Sequence, residues 1–154
     1  MIEFRQASMS DLNSLFRIRN QVSTYQYSLN PREVQEEEHL IWLQSLVSQS
    51  ITNFVCLVNQ NVAGICYLTS KDPICTFSIY LSSEYMGFGL GKQLLLHTLE
   101  KSKSLGFKRY LAEIHKDNVP SIKIFESAGF QRVHSKNNKK DFYLFEYFNG
   151  QESD

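Results

Sequence analysis

The amino-acid sequence predicts an α+β domain: a sheet of about seven strands with about four helices spread over both faces. Three observations carry that prediction. Apolar residues recur at helical spacing in several separate segments. Three short apolar runs follow one another between residues 54 and 81 with only brief turns between them. Glycines stand where helices should begin or end, around residues 87–91, 106 and 129. The chain has 154 residues with no internal repeat, low-complexity tract or linker, so it reads as one domain spanning residues 1–154. A chain of that size buries roughly two-thirds of the surface that its unfolded form exposes.

Taken in order, Ile2 to Ala7 is the first strand. Ser10 and Asp11 open a helix whose apolar stripe of Leu12, Leu15, Phe16 and Ile18 runs to about Asn20. Val22 to Pro31 is polar and Tyr-rich and reads as a loop. A second helix spans about Glu33 to Val47. Its Glu36, Glu37 and Glu38 suit the positive end of the helix dipole, and Leu40, Leu43, Leu46 and Val47 supply its buried side. Phe54–Val58 and Val62–Thr69 form a hairpin around Asn59-Gln60-Asn61, because Asn accepts the positive φ of a tight turn. Lys71-Asp72-Pro73 then turns the chain into a third strand, Cys75–Leu81. The glycine loop opens a long helix with Leu94, Leu95, Thr98 and Leu99 on one side, and Gly106 stops it. Arg109–His115 is a strand, and Asn118–Ala128 is a helix with Pro120 in its first turn and Gly129 at its end. Phe130–Ser135 and Asp141–Phe148 close the chain as a hairpin around a Lys/Asn-rich turn at residues 136–140, a solvated turn or, alternatively, one that attracts an acidic acceptor.

Composition narrows the partners. Lys+Arg 16 balance Asp+Glu 16, and 42% of residues are hydrophobic, which excludes a disordered chain and leaves no overall basic footprint for nucleic acid. The longest apolar stretch, Val62 to Leu68, is far short of the ~20 residues that cross a bilayer. The N-terminus lacks a signal-peptide pattern. Cys56, Cys66 and Cys75 are odd in number, lie in apolar surroundings and have no metal-ligand spacing, so they read as free thiols in a reducing cytoplasm. The expectation is a soluble cytoplasmic protein, monomer or homodimer, with no metal, nucleic-acid or membrane partner.

The segment Met86-Gly87-Phe88-Gly89-Leu90-Gly91-Lys92 joins a strand directly to a helix N-terminus. Glycines at alternate positions let backbone N–H groups turn inward, and the helix dipole adds positive potential, so the loop suits phosphate. It matches neither GxGxxG nor GxxxxGK[ST]. Its Gly89-x-Gly91, preceded by Ser83-Glu84-Tyr85-Met86, resembles the pyrophosphate loop of the GNAT superfamily of N-acetyltransferases, with Met86 where the family usually carries Gln or Arg. Asn118-x-x-Ser121-x-x-x-Phe125-x-x-x-Gly129-Phe130 resembles the same family's later segment, at the right distance from the loop. The resemblance covers nearly the whole chain and implies a twisted, mostly antiparallel sheet whose fourth and fifth strands splay to admit acetyl-CoA.

On that resemblance, backbone groups of Ile79, Tyr80 and Leu81 meet the pantetheine arm. Gly87, Phe88, Gly89, Leu90, Gly91 and Lys92 hold the pyrophosphate, and Asn118 and Ser121 bind the cofactor arm. Many relatives carry Tyr at the position of Phe125, as the acid that protonates the leaving thiolate. Phenyl packs against the cofactor equally well but donates nothing, so water or another tyrosine (Tyr80, Tyr85 or Tyr143) must serve. Transfer to an amine also needs a base. Glu113, in the fifth strand, resembles a catalytic Glu of some members; otherwise it is a solvated residue or the partner of Arg109 or Lys116. His115 and His39 are bases by residue type, His39 fitting a packing or substrate-wall role better.

The first two helices shape the acceptor site in this family. Ile18-Arg19-Asn20-Gln21 and Glu37-Glu38-His39-Leu40-x-Trp42-Leu43 resemble the branch acting on nucleotide-linked amino sugars, with Arg19 and Asn20 toward phosphate and Tyr25 or Tyr27 stacking on a base or sugar. Equally, Arg19 and Asn20 close the first helix and the tyrosines anchor a loop. Three functions stay open: an N-acetyltransferase for a small-molecule amine, a protein N-terminal or lysine acetyltransferase, and a non-catalytic acyl-CoA-binding sensor.

Overall fold

The computed structural model describes residues 1–49, 52–135 and 139–148. Seven strands form one sheet in the order β1-β2-β3-β4-β5-β7-β6. They are β1 (Ile2–Arg5), β2 (Asn53–Val58), β3 (Asn61–Lys71), β4 (Ile74–Leu81), β5 (Arg109–His115), β6 (Phe130–Val133) and β7 (Phe142–Tyr147). Every neighbouring pair is antiparallel except β4 and β5, which run parallel. This is the α+β sheet the sequence predicts. Of the predicted Lys/Asn-rich turn, residues 136–138 lie outside the described residues.

The β2–β3 hairpin turns through Asn59 (φ 49°) and Gln60 (φ 70°), the positive angles expected of that turn. Helices α1 (Leu12–Arg19) and α3 (Glu36–Ser48) cover one face, and α4 (Leu90–Ser102) and α5 (Val119–Ser127) the other. Two apolar clusters result. Leu15, Ile18, Leu43 and Leu46 pack on Val55, Ile65 and Tyr67 beneath α1 and α3. Leu94, Leu95, Leu99 and Phe125 pack on Cys66, Phe77 and Ala112 on the opposite face.

The structure corrects two readings of the first helices. The segment 22–31 contains a one-turn helix, α2 (Val22–Tyr25), rather than loop throughout. A single turn has no periodicity to read and is too short to hold itself, so its place comes from tertiary contacts. The buried side of α3 is His39, Leu43 and Leu46, whereas Leu40 and Val47 are 36% and 40% exposed. A histidine can occupy that inner stripe because both ring nitrogens are bonded: Nε2–H donates to Leu12 O at 2.7 Å, and Nδ1 accepts from Arg19 at 3.2 Å. Cys56, Cys66 and Cys75 are free and buried, and burial pushes their thiols up to about 11, 12 and 12, which makes them unreactive.

The feature that positions the site is a fault in the sheet. β4 and β5 pair only at Ile74–Arg109, Cys75–Tyr110 and Thr76–Leu111. Beyond Thr76, β4 stays with β3 as far as Leu81 and β5 stays with β7 as far as His115, so the two strands part. One edge of β4 from Phe77 to Leu81 is thereby left without a strand partner, its peptide groups free to bond elsewhere.

Candidate active site

A cleft of about 990 Å³ opens where β4 and β5 separate. Its walls are the outer part of β4, the end of β5, the glycine loop, the N-terminal turn of α5, and α2 with the turn that follows it.

The half beneath α4 and α5 is made mostly of main chain. Gly87 (φ 87°) and Gly89 (φ 77°) both take the left-handed conformation, and a Cβ built on either would meet nothing within 4 Å. Glycine is needed there for backbone shape, and the loop faces open space. The carbonyl of Gly89 accepts from Gln93 N–H at 3.2 Å, the first bond of α4. The N–H groups of Leu90, Gly91 and Lys92 precede that bond and have no earlier helical turn to pair with. Gly91 has another reason: a Cβ would lie 2.5 Å from Ile124 Cδ1, so glycine lets α5 approach α4. Lys92 and Lys123 line the cleft, and neither α4 nor α5 carries an acidic residue in its first turn. The place is therefore set up for an anion.

Asn118 caps α5, its Oδ1 accepting from Ser121 N–H at 3.3 Å, which leaves Nδ2 as its donor toward the cleft. Ser121 lines the cleft beside it, as do Ile79, Tyr80 and Leu81 on the open edge of β4. Phe125 is 2% exposed and stands edge-on to Phe130 at 5.0 Å. Phe88 is 76% exposed and does not line the cleft, so only its main chain belongs with the loop. Strand edge, glycine loop and two helix N-termini in one cleft fit a long ligand with amide groups at one end and phosphates at the other.

The half toward α1–α3 is made of side chains. By strand alternation Glu113 and His115 project to the face opposite Ala112 and Ile114, which lie in the α4–α5 core. Lys139 Nζ donates to Glu113 Oε1 at 3.3 Å. Arg109 instead grips Glu146 with two bonds of 2.7 and 3.1 Å, and Lys116 pairs with Asp141 at 3.0 Å. Both cations considered as partners for Glu113 are thus engaged elsewhere. His115 Nδ1 accepts from Asp117 N–H at 3.1 Å, and its ring packs between Tyr27 at 5.5 Å and Phe142 at 5.2 Å.

Of the four acceptor residues expected from sequence, only Tyr27 lines the cleft. Arg19 stacks on Trp42 at 4.4 Å while bonding His39. Asn20 clamps both backbone groups of Val34, at 2.7 and 3.1 Å, and ties the end of α1 to the approach of α3. Tyr25 is half-buried in α2 and does not line the cleft.

Residues 12–130 match the model of the Acetyltransferase (GNAT) family. The chain belongs to the GNAT family. Membership makes it an acetyl-CoA-dependent N-acetyltransferase. Among curated proteins it is 28% identical over 140 residues to a phosphinothricin N-acetyltransferase of Streptomyces viridochromogenes, covering 84% of this chain and 74% of that one. Among solved structures it superposes on a phosphinothricin acetyltransferase of Sinorhizobium meliloti in complex with AcCoA, with a TM-score of 0.79, 24% identity, and 94% and 86% of the two chains covered. A ribosomal-protein-alanine N-acetyltransferase from Brucella melitensis gives a TM-score of 0.82 at 21% identity, covering 96% and 99%. Both superpositions establish the shared fold.

One feature of this GNAT site escaped sequence reasoning: Ser23 and Thr24 line the cleft from α2, and Ser and Thr inside a polar segment carry no motif. Lys139, from the Lys/Asn-rich turn, reaches the cleft and meets a carboxylate 26 residues away in sequence. Of the tyrosines put forward to replace the hydroxyl that Phe125 lacks, Tyr80 lines the cleft and Tyr85 and Tyr143 do not. Tyr80 OH lies 3.2 Å from Tyr67 OH, and the Arg19 guanidinium stands 5.8 Å from the Tyr80 ring.

Proposed function

We propose that the protein acetylates the primary amine of a small, polar molecule, with Glu113 as base and Tyr80 as the proton donor to the leaving thiolate. The observation that carries this reading is that Thr24, Tyr27 and Leu29 line the same cleft as Glu113, so an acceptor at Glu113 is met within that cleft by side chains of α2 and the turn after it. A compact amine fits among them, whereas a peptide has to run out past them. A nucleotide-linked amino sugar, the finer alternative, rests on Arg19 and Asn20 toward phosphate and Tyr25 or Tyr27 stacking on a base or sugar; Tyr27 lines the cleft, but Arg19 and Asn20 are committed to internal contacts. The likeness to phosphinothricin N-acetyltransferases supports a compact amine. No helix among the described residues is long and apolar enough to cross a membrane, and the free thiols suit a reducing cytoplasm.

Acetyl-CoA supplies the acyl group as a thioester. The peptide groups of Ile79 to Leu81 position its arm, the loop from Gly87 to Lys92 with Asn118 and Ser121 holds the rest, and Phe125 packs beside it. Glu113 takes one proton from the bound ammonium, and the neutral amine then attacks the thioester carbonyl. As the new C–N bond forms and the C–S bond breaks, the Tyr80 phenol gives its proton to sulfur; the second nitrogen proton restores the phenol, and Glu113 releases its proton to solvent.

Thiol release measured across small amines, amino sugars, nucleotide-linked amino sugars and short peptides tests the reading. Small amines should be the best substrates, and Glu113→Gln should lower kcat by about 10²–10⁴-fold without altering acetyl-CoA affinity. Peptides alone as substrates would replace this function with protein acetylation. Tight acetyl-CoA binding with no release from any amine would leave the sensor reading. Unchanged turnover in Glu113→Gln would remove Glu113 from its role.

A further inference from the structure

Among the described residues, several helical Ser and Thr hydroxyls bond a carbonyl of their own helix, and two in α2 do not. In α4 and α5, Thr98 Oγ1 donates to Leu94 O at 2.9 Å, Ser102 Oγ to Leu99 O at 2.6 Å and Ser127 Oγ to Ile124 O at 2.7 Å. Each uses a carbonyl three or four residues earlier, the usual bond for a short hydroxyl in a helix. Ser23 Oγ and Thr24 Oγ1 are shielded from solvent and have no hydrogen-bond partner. Geometry explains why. Gln21 enters α2 in an extended conformation (φ −71°, ψ 138°), so the first turn has no preceding turn to offer carbonyls. The Gln21 carbonyl is already taken by Thr24 N–H at 2.9 Å and Tyr25 N–H at 3.1 Å.

Leaving a buried hydroxyl unpaired is costly, and replacing it by an apolar group of the same shape removes the cost. Both residues line the same cleft as Glu113. No hydrogen bond holds either χ1 angle, so no hydrogen bond opposes turning either oxygen toward the cleft.

We infer that Ser23 and Thr24 are specificity-determining residues whose hydroxyls donate to a hydrogen-bond-accepting oxygen group of the acceptor, a carboxylate or carbonyl set apart from its amine. This deepens the small-amine reading of the cleft and rests on it. The acceptor then spans the cleft, its nitrogen at Glu113 and its oxygen group under α2. Amide oxygens of the cofactor arm offer the same chemistry, and the experiment separates the two sources.

The test uses Ser23→Ala, Thr24→Val and the double variant of the whole chain. The probes are matched pairs of amines: amino acids, and the same molecules lacking the carboxylate. Binding is read by calorimetry in the presence of coenzyme A, KM by thiol release, and Tm without ligand. The wild type should bind the carboxylate-bearing member of a pair at least about tenfold more tightly. The double variant should reduce that preference to about twofold or less, while Tm holds or rises. Ser and Thr serving the fold would instead lower Tm and weaken both members of a pair alike, which overturns the inference. Loss of acetyl-CoA affinity with the amine preference intact would assign the hydroxyls to the cofactor arm and also overturn it. So would a wild type that binds no member of the panel or shows no preference within a pair. Amine binding and preference without thiol release would count against the catalytic reading while supporting the role of Ser23 and Thr24.

Discussion

On the side of α4 and α5 the cleft presents main chain: glycine φ angles, helix N–H groups and the bare edge of β4. On the side of α1–α3 it presents side chains: a carboxylate paired to a lysine, an aromatic group around His115, and hydroxyls without partners. The contrast follows from what each half must do. A cofactor that never changes can be held by peptide groups, whose positions are fixed by the helices they begin. An acceptor is distinguished only by side chains, and these are brought together by contacts distant in sequence. Glu113 and Lys139 lie 26 residues apart, and Tyr27 and His115 meet only through the fold.

The largest effect on cofactor binding should come from disturbing main chain. Gly89→Val forces a β-branched residue into the left-handed region at the start of α4, where strain of about 1–3 kcal/mol makes the loop adopt another shape. Acetyl-CoA affinity should fall by about 10–100-fold when measured by calorimetry. The fold should survive, because a side chain there points into open space. Lys92→Ala, which removes a neighbouring charge but no peptide group, should weaken binding by no more than about fivefold, as an exposed charge contributes little. The reverse ranking would mean that this half, too, is held by side chains.

Tyr80 is where the two halves meet, with its backbone on the open strand edge and its ring among Trp42, Tyr67 and Arg19. Tyr80→Phe should lower kcat by about 10²-fold, the low end for a lost acid, because a thiolate is a tolerable leaving group. Binding of acetyl-CoA should not change. Adding Phe125→Tyr should restore part of the rate by supplying a phenol from the cofactor side. Full activity of Tyr80→Phe would leave the proton to water.

Legibility in the sequence divides along the same line. The sheet, the β2–β3 turn and the glycine loop were readable because glycine, asparagine and apolar spacing report local backbone shape. The start of α5 near Asn118 was readable from Pro120 in its first turn, but the capping bond of Asn118 was not read. Arg19 and Asn20 left two readings open, since a helix end rich in polar groups looks the same whether it faces a ligand or, as here, Trp42 and Val34. The α3 stripe was right at Leu43 and Leu46 but wrong at Leu40 and Val47, and it missed His39 because a buried histidine does not register as apolar. α2 and its unpaired hydroxyls left no signal, being one turn long.

The smallest effect concerns acid, and it can show whether the two cores respond together. His39 lies in the α1–α3 core, and His97 on α4 stacks on Phe4 at 4.6 Å and meets Phe54 at 4.5 Å. Burial holds both imidazoles below the ordinary 6.5, and the charges of Arg19 and Lys101 act in the same direction on His39 and His97 respectively. In the folded state both rings therefore bind protons less readily than in the unfolded chain. Their contribution to stability is full above about 6.5 and declines as the pH falls below it. Tm should be level above about pH 7 and drop by about 2–4 °C toward pH 5.5, a change of roughly 1 kcal/mol in a chain of this size. His97→Phe should remove the smaller part of the drop, because its ring is only partly buried, whereas His39 is 1% exposed and faces a cation. A Tm that stays level or rises on acidification would show that neither ring is kept neutral. A drop abolished by His97→Phe alone would place the acid-sensitive core under the cofactor, not under the acceptor.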